Sequence, residues 1–154
     1  MILDKILVSK CLLGENVKYN GGNNFADSEI IKKWQRLGMV IPICPECDGG
    51  LPTPRPASEI RGDRVINREN CDVTEYFEQG ALEAVQKAVQ YGAKYALMKQ
   101  SSPSCGSKTI YDGTFSGTKK SGMGIAARKL SEQGVLIFDE NQIEELDKFL
   151  EPRR

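Results

Sequence analysis

Three of the five cysteines follow short apolar runs, and this repeated arrangement is the main chemical signal in the sequence. The thiols and the runs before them are Cys11 after 6–9, Cys44 after 39–43, and Cys105 after 95–98 and the turn-forming segment 101–104. In an open α/β sheet, binding sites form outside the carboxyl ends of the strands. If these runs are neighbouring parallel strands, the three thiols meet at one place.

The residue types narrow the chemistry that such a site can support. The chain has no histidine, so it lacks the commonest general base near neutral pH and any Ser–His or Cys–His nucleophile system. An odd number of cysteines without a secretory leader argues against a disulfide framework. Clustered thiolates favour zinc or an iron–sulfur cluster over magnesium or calcium.

Several arrangements of the thiols remain open at this point. Cys44 and Cys47 have CxxC spacing, and together with Cys11 and Cys105 they can form a closed four-thiolate zinc site. A redox CxxC pair is expected at the start of a helix. The Asp-Gly-Gly-Leu-Pro segment at 48–52 is unlike a continuing helix, so a redox role for the pair is disfavoured. Three thiolates can instead hold an iron–sulfur cluster that leaves one iron open to substrate. The structural alternative is that free cysteines pack as small apolar side chains, although turns rich in glycine and proline are poor places for core residues.

Strand and helix patterns alternate along the chain, which predicts a mostly parallel sheet covered by helices. The predicted strands are 4–10, 39–43, 94–98 and 135–138, and the predicted helices are 29–37, 75–91, 121–132 and 141–150. Two hairpins are expected, one at 60–66 and one at 109–115 with Asp112-Gly113 as a two-residue turn. Residues 44–58 are expected to be a stiff loop. The fold class is therefore a single-domain α/β protein with a mostly parallel four-stranded sheet, helices on both faces and small hairpin insertions.

Composition limits the classes of protein to consider. A chain of 154 residues suits a single domain over 1–154, and zero net charge does not favour nucleic acid or an anionic membrane as a partner. No apolar run approaches the roughly 20 residues that span a bilayer. The segment 1–8 is too short and too interrupted for a secretory signal. We therefore expect a cytoplasmic protein, a monomer or a homodimer, that does not bind nucleic acid or membrane.

Motifs spread over the chain resemble a widespread microbial family, once catalogued only as a domain of unknown function, that includes 2-thiouracil desulfidase. The matching stretches are 8–14, 17–21, 42–46, 49–60, 72–74, 102–106 and 111–115. The resemblance implies a [4Fe–4S] cluster held by Cys11, Cys44 and Cys105, whose fourth iron takes the sulfur of a thiolated small-molecule substrate. It also implies catalytic roles for Glu46 and Ser102. Cys47 and Cys71 lie outside the family pattern.

A direct chemical argument gives these residues roles. Iron bound to the sulfur of a thiocarbonyl draws electron density from the carbon, and water can then attack that carbon with help from a base. Glu46, two residues after a cluster cysteine, is placed to be that base, and Ser102 to donate a hydrogen bond or relay a proton. The expected activity is non-redox desulfuration of a small thiolated heterocycle, such as a 2-thiouracil-like base, with release of hydrosulfide. The alternative is a non-catalytic thiolate metal-binding domain.

Three further residues are candidates for substrate binding. Arg55 can bind an anionic group or a ring carbonyl through its planar guanidinium, or it can form an ion pair with Glu59 or Glu46. Tyr19 can stack on a flat heteroaromatic ring or pack within its loop. Ser104 is the third hydroxyl of the Cys105 turn. A glycine pair at 122–124 can bind an anion at a helix N-terminus or allow close helix packing.

Overall fold

The computed structural model describes residues 4–150. The strands are β1 Ile6–Ser9, β2 Val40–Ile43, β3 Ser58–Arg61, β4 Arg64–Asn67, β5 Tyr95–Leu97, β6 Thr109–Tyr111, β7 Lys119–Ser121 and β8 Leu136–Phe138. The α-helices are α1 Glu29–Arg36, α2 Pro45–Asp48, α3 Thr74–Tyr91, α4 Ile125–Glu132 and α5 Ile143–Leu150. A 3-10 helix at Lys10–Leu13 follows β1.

The central sheet has four strands in the order β2-β1-β5-β8, and all neighbouring pairs are parallel. Val8 lies opposite both Pro42 and Leu97, so the carboxyl ends of β1, β2 and β5 reach the same edge. Pro42 lacks a backbone N–H, and its place on an edge strand is where a sheet tolerates one. The prediction of a mostly parallel four-stranded sheet is confirmed.

Helices cover both faces of this sheet, as predicted. On one face the core contains Phe77 and Ala81 of α3 and Leu130 of α4. On the other face it contains Trp34 of α1 and Leu146 of α5. All five side chains are at most 1% exposed, and burial of such apolar area is the main driving force for folding.

Two glycines let α2 pack directly on the backbone of α3. A side chain added at Gly80 would collide with the carbonyl oxygen of Pro45, and one added at Gly49 would collide with that of Tyr76. Because α2 begins immediately after Cys44, this close approach places the CxxC segment against the longest helix. The predicted helix at 75–91 thus supports the site as well as the core.

Two local predictions are wrong. Residues 44–58 are not loop throughout, since Pro45–Asp48 forms the one-turn helix α2 with Cys44 at its N-cap. This helix stops at Asp48, so the prediction that the Asp-Gly-Gly-Leu-Pro segment at 48–52 does not continue a helix is correct. Helix α4 starts at Ile125 rather than at 121, since Lys119–Ser121 is a strand.

The second predicted hairpin also differs. Strand β6 pairs with β7 across the seven-residue connection 112–118, and Asp112-Gly113 is not a two-residue turn. The backbone N–H groups of Gly113 and Phe115 donate to the Glu59 carboxylate instead of to a facing strand. A hairpin whose strands paired over 109–115 would have to break the hydrogen bonds of Gly113 and Phe115 to Glu59. The hairpin at 60–66 is confirmed, with Ile60 opposite Val65.

The predicted domain extent of 1–154 includes residues 1–3 and 151–154, which lie outside the described part of the chain. The expectation about a secretory signal at 1–8 falls partly on those residues as well. Among residues 4–150, no helix is long and apolar enough to cross a membrane.

Candidate active site

A cavity of about 480 Å³ opens at the edge of the sheet where β1, β2 and β5 end. That volume falls in the range of about 300–1,000 Å³ usual for small-molecule sites. One wall, which we call the strand-end wall, is made by the segments that follow these strands. The other, the hairpin wall, is made by residues of the β3–β4 and β6–β7 hairpins and their flanks, including Glu59, Arg68, Tyr111 and Lys119.

All three cysteines predicted to act together line this cavity. Cys11 lies in the 3-10 helix after β1, Cys44 caps α2 after β2, and Cys105 lies in the loop after β5. Cys105 is buried, while Cys11 and Cys44 are half-buried. Parallel pairing brings together thiols that are far apart in sequence.

The surroundings of the thiols favour the protonated form when no cation is present. Burial raises the pKa of the Cys11 and Cys44 thiols and raises the pKa of Cys105 to about 12. Hydrogen bonds oppose that rise, from the side chain of Asn24 at Cys11 and from those of Ser9 and Ser104 at Cys105. Buried thiols that are offered hydrogen bonds are a suitable donor set for a positively charged, sulfur-seeking metal group.

The spacing of the donors bears on the kind of group that fits. Within residues 4–150, no three cysteine, aspartate or glutamate side chains converge closely enough to hold a single metal ion. A four-iron cluster places its ligand thiolates on different irons, so they are spread further apart than those around one zinc ion. Three thiols around one cavity are the type of ligand that holds an iron–sulfur cluster.

Cys47 is close to Cys44 but is not among the residues that line the cavity. Its sulfur lies 3.3 Å from the Thr53 hydroxyl and 3.9 Å from the Val17 carbonyl oxygen. The Arg55 guanidinium also contacts it, at 3.8 Å. Cys71 is exposed. The Cys47 side chain contacts that of Cys44, but neither Cys47 nor Cys71 lines the cavity.

Glu46 is held on two sides. The Arg55 guanidinium forms an ion pair with Oε1, at 3.1 Å from Nε and 3.0 Å from a terminal nitrogen. The Ser104 hydroxyl donates to Oε2 at 3.0 Å. The Arg55 side chain, only 5% exposed, also donates to the carbonyl oxygens of Val17 and Pro52. Of the two ion pairs considered for Arg55, the structure has the one with Glu46 and not with Glu59.

The serines of the Cys105 loop continue this chain of hydrogen bonds. The hydroxyls of Ser102 and Ser104 are 3.0 Å apart. Ser102 Oγ also accepts from the backbone N–H groups of Ser104 and Cys105, at 3.2 and 3.1 Å. Arg55, Glu46, Ser104 and Ser102 therefore form one continuous line along the cavity. The sequence analysis considered the Arg55–Glu46 ion pair but missed the bonds of the two serines, for which the Ser-x-Ser spacing was the only signal.

Gln100 organises the Cys105 loop and was also missed. Its side-chain oxygen accepts from the backbone N–H groups of Ser107, Lys108 and Thr109 at 3.1, 2.9 and 2.9 Å. Its amide nitrogen donates to the buried Asp139 carboxylate at 2.8 Å, which fixes the orientation of the amide. No sequence pattern distinguishes this glutamine, because its partners are defined only by the folded loop.

The glycine pair before α4 serves close packing and not anion binding. The backbone N–H groups of Gly124, Ile125 and Ala127 donate to carbonyl oxygens of the Cys105 loop, at 2.7 to 3.0 Å. A side chain at Gly124 would collide with the backbone of Ser104. The start of α4 is therefore occupied by the loop that carries Ser104 and Cys105.

The rim of the cavity carries an excess of positive charge. Lys10, Lys18, Arg68 and Lys119 line it, and none forms an ion pair with a carboxylate in the described part of the chain. Such a rim favours ligands with negative charge. Tyr19 also lies at the rim and is 46% exposed, which leaves its ring accessible to a ligand.

Fold and site together define an α/β protein whose parallel strands present three soft ligands and a tethered carboxylate to one cavity. The family model described as 2-thiouracil desulfurase matches residues 6–142, and the chain belongs to that family. A solved structure of the [4Fe-4S]-dependent thiouracil desulfidase TudS is similar, with a TM-score of 0.94 and 40% identity over 96% of this chain and 98% of that one. The uncharacterized protein YbbK of Bacillus subtilis (strain 168) is 37% identical over 92% of this chain and 99% of its own length.

Proposed function

We propose that this protein is a [4Fe–4S]-dependent desulfidase that removes sulfur from a small thiolated heterocycle, such as a 2-thiouracil-like base, and releases hydrosulfide without net redox change. One observation carries the proposal. Three buried or half-buried thiols and a hydrogen-bonded carboxylate–serine line share a single cavity. The family match and the similarity to TudS, whose name states both the cluster and the activity, support it.

Cys11, Cys44 and Cys105 would hold the cluster, since they are the cysteines that line the cavity. When bound, the cluster supplies a soft Lewis-acidic iron without a protein ligand, suited to the sulfur of a thiocarbonyl.

Glu46 acts as the base that takes a proton from the attacking water. Its two oxygens are fixed by Arg55 and Ser104, so the carboxylate is oriented before substrate arrives. Fixing a catalytic group in this way avoids reorganisation during the reaction. Arg55 thereby positions the base. The N–H groups of its guanidinium already donate to Glu46, Pro52, Thr53 and Val17, so we infer this positioning role in place of the direct substrate contact predicted for Arg55.

Ser104 and Ser102 carry the proton onward. The single hydroxyl hydrogen of Ser104 has two acceptors within reach, Glu46 Oε2 at 3.0 Å and Cys105 Sγ at 3.5 Å. In the orientation that donates to Glu46, the Ser104 oxygen accepts from Ser102. Once Glu46 has taken a proton, it donates to Ser104, and the direction of both bonds reverses. Ser102 then points its hydrogen into the cavity, where it can protonate a ring nitrogen of the substrate.

The first test is the content of iron and acid-labile sulfide after strictly oxygen-free purification, followed by a screen of thiolated bases for sulfide release. About four irons and four sulfides per chain are expected for a [4Fe–4S] protein. Stoichiometric zinc with no labile sulfide would overturn the proposal. Glu46→Gln should keep the iron and lose turnover, because an amide cannot act as a base.

The alternative function is a non-catalytic thiolate metal-binding domain. The observation that favours it is Cys47, which lies beside Cys44 in the same turn of helix. Cys47→Ala separates the two functions. Loss of metal in this variant would indicate a four-cysteine site, whereas full iron content and activity would leave Cys11, Cys44 and Cys105 as the ligands.

The finer assignments belong to the same proposal. Tyr19 and Ser104 would contact the substrate, Tyr19 by stacking at the rim. The protein would work in the cytoplasm on a small thiolated molecule, as a monomer or a homodimer.

A further inference from the structure

Glu59 is a buried carboxylate of the cavity for which the proposed mechanism has no use. It lies on β3, is 7% exposed and belongs to the hairpin wall. Its Oε1 accepts from the backbone N–H of Gly113 at 2.9 Å and from that of Phe115 at 3.1 Å. One oxygen of Glu59 therefore anchors the 112–118 connection, which extends to Gly117 at the cavity.

The other oxygen of Glu59 has no protein partner. No hydrogen bond or ion pair within residues 4–150 involves Oε2, and Arg61 and Arg68 stack on the Phe115 ring instead of pairing with it. In the same part of the chain, no fully buried side-chain oxygen is left without a hydrogen bond. Oε2 therefore keeps some accessible surface, and Glu59 is one of the residues that line the cavity. A carboxylate oxygen in such a confined place is costly unless it receives a hydrogen bond.

We propose that Glu59 Oε2 accepts a hydrogen bond from an N–H or O–H group of the substrate and so selects thiolated heterocycles that carry such a donor. The donor lies on the part of the substrate that contacts the hairpin wall, since the thiols and Ser102 occupy the strand-end wall. It is either a ring N–H or a hydroxyl of an attached sugar. This proposal rests on the proposed function, whose substrate it narrows.

Glu59→Gln is a clean test because the two oxygens of Glu59 have separate partners. The backbone N–H groups of Gly113 and Phe115 retain the amide oxygen at the Oε1 position, so the amide nitrogen takes the place of Oε2. The variant keeps the loop anchor and puts a donor where the acceptor was. KM should rise about 10- to 100-fold, the range for losing a hydrogen bond to a charged group, with the iron content and Tm of the wild type.

Asp63→Asn is the matched control. It makes the same chemical change at an exposed position in the turn of the same hairpin, outside the cavity, and should leave KM unchanged. Two substrate series identify the donor. One is thiouracil methylated at either ring nitrogen, which removes that N–H; the other is thiouridine with its 2′,3′-dideoxy and 5′-deoxy forms, which together remove all three sugar hydroxyls. The analogue that lacks the recognised donor should bind wild type and Glu59→Gln equally.

The proposal is overturned if Glu59→Gln leaves KM unchanged for every substrate. It is also overturned if Glu59→Gln raises KM by the same factor, relative to wild type, for analogues that carry the donor and for analogues that lack it. The binding of uracil and of its N-methyl forms, measured by the ligand-induced rise in Tm, gives the same comparison without turnover. If wild type releases no sulfide from any thiolated base, the proposed function fails. If it turns over but Glu59→Gln is indistinguishable from wild type, only the role of Glu59 fails.

Discussion

Replacement of Gln100 by alanine tests whether one side chain holds the loop that carries Ser102, Ser104 and Cys105. The substitution removes an acceptor shared by four backbone N–H groups, of which the Ser101 bond is the longest at 3.3 Å, and a 2.8 Å donor to the Asp139 carboxylate. Each neutral bond is worth about 1 kcal/mol and the bond to a charged group about 1.5–3 kcal/mol. Because Lys108 is exposed, water can bond its N–H group in the variant and recover part of the lost free energy. We expect a net loss of about 2–4 kcal/mol of unfolding free energy.

The loss should appear as a fall in Tm of about 5–15 °C for a chain of this size. The assay is thermal unfolding of the anaerobically purified protein together with its iron content. Because the loop presents Cys105, iron content should fall with stability. Gln79→Ala is the control, since Gln79 is exposed and bonds only Glu83 on its own helix.

Exchanging the amide and the carboxylate between Gln100 and Asp139 tests whether this contact holds the loop. Gln100→Glu keeps the acceptor but sets a second carboxylate 2.8 Å from that of Asp139, so it should destabilise the protein strongly. Adding Asp139→Asn restores a donor opposite an acceptor, and the double variant should regain most of the lost Tm and iron. If the double variant is no better than Gln100→Glu alone, the Gln100–Asp139 contact does not hold the loop as described.

Three further predictions concern helix packing at Gly80, the ligand role of Cys105 and the pH dependence of stability at Asp72. Gly80→Ala should cost about 1–3 kcal/mol and lower iron content, because the new methyl collides with the Pro45 carbonyl and displaces α2; unchanged urea unfolding would contradict this. Cys105→Ala should lose iron, whereas Cys71→Ala, at an exposed position, should retain it, as iron analysis of the two purified variants will show. Arg64 and Thr74 hold the pKa of Asp72 at about 2, below its ordinary value of 3.8, so this carboxylate stabilises the fold above about pH 4 and the contribution disappears as pH falls toward 2. Urea titrations of metal-free protein at pH 7 and pH 3 should show a smaller difference in unfolding free energy for Asp72→Asn than for wild type, and an equal difference would refute the assignment.

The pattern of the sequence accounts for the sheet and for the meeting of the three cysteines. Apolar runs that alternate with amphipathic helices favour parallel strands, and parallel strands end at one edge. Cysteines placed after three such runs must then approach one another if the strands are neighbours, and the order β2-β1-β5-β8 makes them neighbours.

Turns were less predictable because their partners come from elsewhere in the chain. Asp112-Gly113 is a strong local hairpin signal. The Glu59 carboxylate, 54 residues away from Gly113, takes the N–H group that a short hairpin would need. One buried acceptor was enough to change where β6 finds its partner.

The sequence by itself determined the α/β architecture and the clustered thiols, because these follow from residue type and local periodicity, and its resemblance to a known family supplied the candidate base. Only the tertiary structure decided which groups orient that base. The bond from Ser104 to Glu46 spans 58 residues and that from Gln100 to Asp139 spans 39. Hydrogen bonds depend on distances of about 3 Å and on direction. Residue spacing does not encode either quantity until the chain has folded and brought both partners to the same cavity.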